Sequence, residues 1–141
     1  MKRILIINAN YYDDITNKLV KSAVLILKKH KIKTSILTVP GVFEIPIGIK
    51  KNIGKFDAFV AIGCVIKGKT PHFQLICKSV FDSIINLSIN FNKPIGNGII
   101  TALNKKQAYE RCGIIKSNKT NRGLEAAKSV LSVLNNGPKN I

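Results

Sequence analysis

Apolar positions along this 141-residue chain fall into two alternating rhythms. Short dense runs, Arg3 to Asn8, Thr34 to Val39, Ala58 to Cys64 and Ile95 to Leu103, are strand-sized and rich in Ile and Val. Helical spacings of three and four follow them. Ile15, Leu19, Ala23, Val24 and Leu27 form one apolar face, and Ile45, Ile49 and Ile53 a second that stops at Gly54. Phe73, Ile76, Val80, Ile84 and Leu87 form a third and longer one, with Thr70 placed to cap it and Pro71 in its first turn. Asn104 can cap a short helix through Arg111, and Leu124 to Leu134 predicts the last helix. Ala58 to Cys64 is apolar nearly throughout, as a strand covered on both faces must be. Four βα units plus one extra helix predict an α/β fold, a three-layer αβα sandwich around a flavodoxin-like parallel four-stranded sheet. The length suits a single domain, 1–141.

Composition narrows the class. Apolar residues make up 45% of the chain and there are only 10 Gly and 5 Pro, so a packed core is expected and disorder is not. No apolar run approaches the roughly 20 residues of a membrane span. Met1-Lys2-Arg3 before Ile4 to Ile7 looks like the start of a signal peptide, but Asn8 and Asn10 interrupt the apolar region. Cys64, Cys77 and Cys112 are odd in number and widely spaced, which fits neither a disulfide framework nor a zinc site; a cytoplasmic protein without a metal is expected. The net charge of +16 invites a nucleic-acid reading. The lysines, however, are spread along the sequence, and Lys, Ile and Asn all have AT-rich codons. Small molecules are therefore the expected partners, with no nucleic acid and no membrane. Arg occurs only at Arg3, Arg111 and Arg122, which draws attention to those positions, because guanidinium grips anions in a bidentate way that ammonium does not.

Ligands of open α/β sheets bind beyond the carboxyl ends of the strands, so the loops after the strands are where chemistry is sought. Gly63 to His72 combines a permissive Gly68, two lysines, a Thr cap and the free amides of a helix start, a set suited to phosphate. Its Gly-Lys-Thr has the spacing of a nucleotide-binding P-loop from Gly63, but Pro71 follows at once and deforms the start of the helix. His72 lies where the helix dipole favours the neutral ring, the form that accepts a proton; the alternative is a solvated cap. Glu44 sits in the apolar stretch Pro40 to Pro46 and can grip a polyol or ring N–H, or simply favour a helix start. Tyr11 and Tyr12 can floor a flat heterocycle, or be half-buried loop aromatics. Asp13-Asp14 resembles the acidic pocket of response regulators, but strand three ends in Gly63-Cys64 with no Asp to receive phosphate. His30, among Lys28, Lys29, Lys31 and Lys33, is expected to be solvated. Arg111, beside Gln107 and Glu110, can serve an anion or the end of its own helix.

Taken in order, these loops resemble one family, lumazine synthase. The resemblance rests on Asn10-Tyr11-Tyr12-Asp13-Asp14, Pro40 to Pro46, Gly63 to Phe73, Gly96 to Thr101, Gln107 to Arg111 and Asn121 to Ala127, which together span nearly the whole chain. It implies condensation of 5-amino-6-(D-ribitylamino)uracil with 3,4-dihydroxy-2-butanone 4-phosphate, with loss of phosphate and two waters and no cofactor. Tyr11 would stack on the pyrimidine, Glu44 would bind ribityl hydroxyls, and main-chain groups near Val42, Phe43 and Ile66 would hold the uracil. Phosphate would rest on the amides of Gly68, Lys69 and Thr70, with His72 shuttling protons. Arg111 from a neighbouring subunit would clamp the phosphate, and Asn97 would face the ring across that interface. Cys64, Val65 and Arg122 join the substrate-binding set. Lys67 stands where the family usually has Arg, and Arg122 where it has Lys. The segment Ile114 to Asn121 looks longer than in shell-forming members, which favours a homopentamer. Rival readings are another phosphosugar or riboflavin-pathway enzyme on this fold, and a basic phosphate-binding module without turnover.

Overall fold

Each dense apolar run becomes a strand of one parallel sheet in the computed structural model, which describes residues 1–141. The strands β1 (Arg3–Ala9), β2 (Lys33–Val39), β3 (Ala58–Ile66) and β4 (Ile95–Ala102) lie in the order β2-β1-β3-β4. Chain direction across the sheet reverses between β1 and β3, and the crevice at their carboxyl ends is the topological switch point where such sheets bind ligands. Helices α1 (Asp13–Lys29), α2 (Ile45–Lys51), α3 (His72–Phe91), α4 (Lys105–Cys112) and α5 (Arg122–Asn135) connect or follow the strands, and a short 3₁₀ turn, Val42–Glu44, precedes α2.

Alternation along β1 sorts the two cores. Ile4 and Ile6 point to one face, where they pack with Ile15, Leu19, Ala23 and Leu27 of α1 and Ala126, Ala127, Val130 and Leu131 of α5. Leu5, Ile7 and Ala9 point to the other, against Ile45 and Ile49 of α2 and Val80 and Ile84 of α3. Full burial of a side chain of this size contributes roughly 1.5–3 kcal/mol, so the three layers are held chiefly by these two apolar contacts. Glycines set the closest approaches. A Cβ on Gly123 would run into the backbone carbonyl of Leu19 in α1, and one on Gly96 into that of Ala126 in α5.

Boundaries shift for identifiable reasons. β3 runs two residues past Cys64, because Val65 and Ile66 pair with Thr101 and Ala102 of β4. α5 begins at Arg122 rather than Leu124: Asn121 Oδ1 accepts the Leu124 N–H at 3.0 Å while its Nδ2 donates to the Cys112 carbonyl at 3.1 Å. Asn104 caps α4 as expected, accepting the Gln107 N–H at 2.9 Å. α3 starts at His72, so Pro71 precedes the helix instead of lying in its first turn, and Thr70 Oγ1 accepts only the His72 N–H, at 3.4 Å. In α3 the only buried side chains are Val80 and Ile84, and Leu75, Ile85 and Ile89 stand exposed on its outer side.

Candidate active site

At the switch point, the loops after β1 and β2 and the end of β3 enclose a cavity of about 370 Å³, lined by Tyr11, Tyr12, Gly41, Val42, Phe43, Cys64, Val65, Ile66, His72 and Ile76. That size falls within the range that holds small ligands. Each wall has a local cause. Asn10, at the end of β1, donates its N–H to the Val39 carbonyl at 3.1 Å, which ties the tyrosine loop to the end of β2. Gly63 leaves the space that Val42 fills, for a Cβ there would stand 2.6 Å from the Val42 side chain. Val42 can thus lie against the end of β3 and close one side.

Aromatic rings guard the mouth. Tyr11 is 73% exposed and Phe43 66%, an unfavourable state for large apolar groups that a flat ligand or a neighbouring molecule would relieve. The Tyr11 and Tyr12 rings meet at 5.0 Å between centroids. Lower in the wall the groups are neutral. Burial pushes the Cys64 thiol up to about 12, with smaller contributions from Cys112 and Asp14, and burial likewise raises the Tyr12 phenol, with Cys64 and Tyr11 adding to it. Cys64 is therefore a protonated, unreactive part of the wall and not a nucleophile. His72, exposed at the start of α3, is the one imidazole of the cavity.

The expected anion loop lies at the rim. Lys67 to Pro71 are exposed, and the Lys67 N–H is committed to the Ala102 carbonyl at 2.9 Å. The N–H groups of Gly68, Lys69 and Thr70 donate to no other protein group, so three neighbouring donors remain for an external acceptor. Lys69 and Thr70 precede the helix, unlike the lysine and hydroxyl residue that open the helix of a P-loop. Gly68 does not adopt a left-handed φ, and a Cβ on it would meet nothing within 4 Å, so its permissive backbone is not what the turn requires.

Eight of the expected residues, Tyr11, Tyr12, Val42, Phe43, Cys64, Val65, Ile66 and His72, share the cavity. Glu44 lies next door in a depression of about 350 Å³ with Pro46, Ile47, Ser79, Val80 and Ser83, and Phe43 forms a wall of both hollows. Asn97, Arg111 and Arg122 lie apart from it. Asn97 Oδ1 accepts the Ile99 N–H at 3.0 Å beside a hollow between α3 and β4. Arg111 Nη1 donates to the Gln107 carbonyl of its own helix at 3.1 Å, and Arg122 Nη1 stands 3.6 Å from Glu125 Oε2. Ile76, one helical turn after His72, and Gly41 line the cavity without having been singled out by sequence; the i, i+4 spacing was the available signal for Ile76. No group of three or more His, Cys, Asp or Glu side chains is placed to hold a metal, and no helix is long and apolar enough to cross a membrane.

Comparison with known proteins identifies the family. Residues 1–137 match the family described as 6,7-dimethyl-8-ribityllumazine synthase. A curated relative of that name from Campylobacter jejuni subsp. doylei is 40% identical over 94% of this chain and 88% of its own length. Relatives from Campylobacter curvus and Methylobacterium radiotolerans, with the same name, are 37% and 36% identical, over 95% and 93% of this chain and 87% and 81% of theirs. Such identity along nearly the whole length of both partners establishes that this chain belongs to the 6,7-dimethyl-8-ribityllumazine synthase family.

Proposed function

We propose that the protein condenses 5-amino-6-(D-ribitylamino)uracil with 3,4-dihydroxy-2-butanone 4-phosphate to 6,7-dimethyl-8-ribityllumazine, releasing inorganic phosphate and two waters, as a cytoplasmic enzyme of riboflavin biosynthesis. The observation that carries this reading is the aromatic-mouthed cavity at the β1/β3 switch point, with His72 in its wall and three free amides at its rim. Tyr11 stacks on the pyrimidine, and main-chain groups of Val42, Phe43 and Ile66 hold its uracil edge. Glu44, one hollow away across Phe43, takes the ribityl hydroxyls. The amides of Gly68, Lys69 and Thr70 bind the phosphate. His72 moves protons during imine formation and phosphate elimination. Holding two reactants in register can lower the barrier by up to roughly 7–11 kcal/mol, so orientation does most of the catalysis and no cofactor or metal is required.

Arg111 and Asn97 act from a neighbouring copy. Arg111 and Asn97 line no part of their own chain's cavity, which fits a site shared between subunits of a homopentamer. Leu75, Ile85 and Ile89 support such an assembly: at 100° per residue they fall within roughly 80° of arc on α3. Lys78 and Asp82 lie on the same stripe with their charges paired at 2.6 Å. The purified protein, given both substrates and no metal, will develop the absorbance and fluorescence of the lumazine. Continued silence from a folded, assembled sample would sink the proposal.

A further inference from the structure

The fold gathers charge that the sequence leaves dispersed. Parallel strands all start at one edge of the sheet, and the helices between them end there. Lys2, Arg3, Lys31 and Lys33 at the strand starts therefore meet Lys28 and Lys29 at the end of α1, and Lys50, Lys51 and Lys55 at and after the end of α2. Arg3 and Lys33 are register partners on adjacent strands. All nine are exposed, out of 23 basic residues in the chain. A single carboxylate, the half-buried Asp57, shares this edge, and its Oδ2 already accepts the Arg3 N–H at 2.7 Å. The other six acids lie on α1, α3, α4, α5 or the 3₁₀ turn.

Two simpler causes account for part of this pattern. AT-rich codons explain the number of lysines but not their placement. Exposed helix-end carbonyls favour Lys28, Lys29, Lys50 and Lys51. Lys31 closes the end of α1, its N–H donating to the Lys28 carbonyl at 2.9 Å, but Lys2, Arg3, Lys33 and Lys55 answer no helix end. Of the large exposed apolar side chains, Met1 and Phe91 stand at this edge, and the Phe91 ring at the end of α3 is already covered by Lys50, whose Nζ lies 5.1 Å from its centroid; a bilayer, which needs apolar insertion as well as charge, is therefore a poorer fit than a phosphate backbone. A sheet with a helix layer on each face is on the order of 20 Å thick, enough to meet roughly six phosphates of one strand of a duplex.

We infer that the amino edge of the sheet is a docking surface for nucleic acid, gripping the phosphate backbone by charge without reading bases. It faces away from the cavity, so binding there leaves the enzyme site open.

Fluorescence anisotropy with a labelled 20-base-pair DNA duplex tests this. Affinity should fall on the order of a thousandfold between about 50 and 200 mM salt. Joint replacement Lys28→Gln, Lys31→Gln, Lys33→Gln and Lys51→Gln should weaken binding at least about tenfold while lumazine formation stays at the wild-type rate. A second edge variant, Lys2→Gln with Lys29→Gln and Lys55→Gln, should do likewise. A charge-matched control, Lys18→Gln, Lys21→Gln, Lys116→Gln and Lys119→Gln, should stay within about threefold. Equal losses in edge and control variants would show that net charge alone is at work and overturn the inference. So would absence of binding at the lower salt, or tighter capture by phosphatidylserine vesicles than by the duplex.

Discussion

Arg111 lies in the last turn of α4 with its guanidinium turned back on the Gln107 carbonyl, a local bond that it can exchange for a stronger one to phosphate. Arg111→Ala should therefore raise KM for the phosphorylated butanone, by an amount equivalent to about 2–3 kcal/mol, and leave KM for the pyrimidine nearly unchanged. Steady-state kinetics with each substrate varied in turn checks this, and equal losses for both would argue against the assigned role. Cys64 makes a prediction about pH. Its thiol is neutral when protonated, and folding raises it from the ordinary 9.0 to about 12. Between those values the unfolded chain gives up the proton while the folded chain keeps it, so stability falls as pH rises through that window and is unaffected below it. Cys64→Ala should remove up to about 1.4 kcal/mol per pH unit of that decline, read from urea midpoints at successive pH values.

Among the elements, α5 is placed most tightly. Gly123 sits in its first turn against the Leu19 carbonyl of α1, where backbone faces backbone and neither side has a flexible tip to withdraw. Gly123→Ala should cost about 3 kcal/mol of stability, measured by denaturant unfolding, whereas Gly54→Ala, where a Cβ meets nothing, should cost far less. The same contact explains how the start of this helix escaped the apolar pattern. A residue that packs by having no side chain leaves no mark on a count of apolar positions, so the period pointed to Leu124 while Asn121 and Gly123 set the true beginning. The strands were plainer, because a buried parallel strand must be apolar on both faces. The extension of β3 to Ile66 depends on pairing with β4, and the 3₁₀ turn at Val42 depends on the gap left by Gly63. Both are long-range facts with no local signature. In the candidate site, residues on consecutive loops were legible from chain order; Ile76 and Gly41 became visible only once α3 and the turn before α2 were packed in place.

Across the whole molecule, α3 carries the clearest sign of an assembly. An isolated subunit has no reason to hold Leu75, Ile85 and Ile89 in water on one stripe. Ile89→Asp, on a side chain 70% exposed, should leave the subunit folded by circular dichroism yet lower the sedimentation coefficient toward that of a monomer. Lumazine formation should fall with it, because Arg111 and Asn97 would lose the site they serve. An unchanged sedimentation coefficient would place the subunit contact elsewhere. The charge at the amino edge was illegible in sequence for a related reason: strand starts and helix ends are far apart along the chain and become neighbours only when the layers stack. Tyr11, projecting from the cavity mouth in a chain without tryptophan, has an optical consequence. Light at wavelengths longer than those of tyrosine is absorbed by the lumazine and not by the protein, and a ring stacked on that chromophore would change its emission on binding, so a plain fluorescence titration would report directly on how many sites are filled.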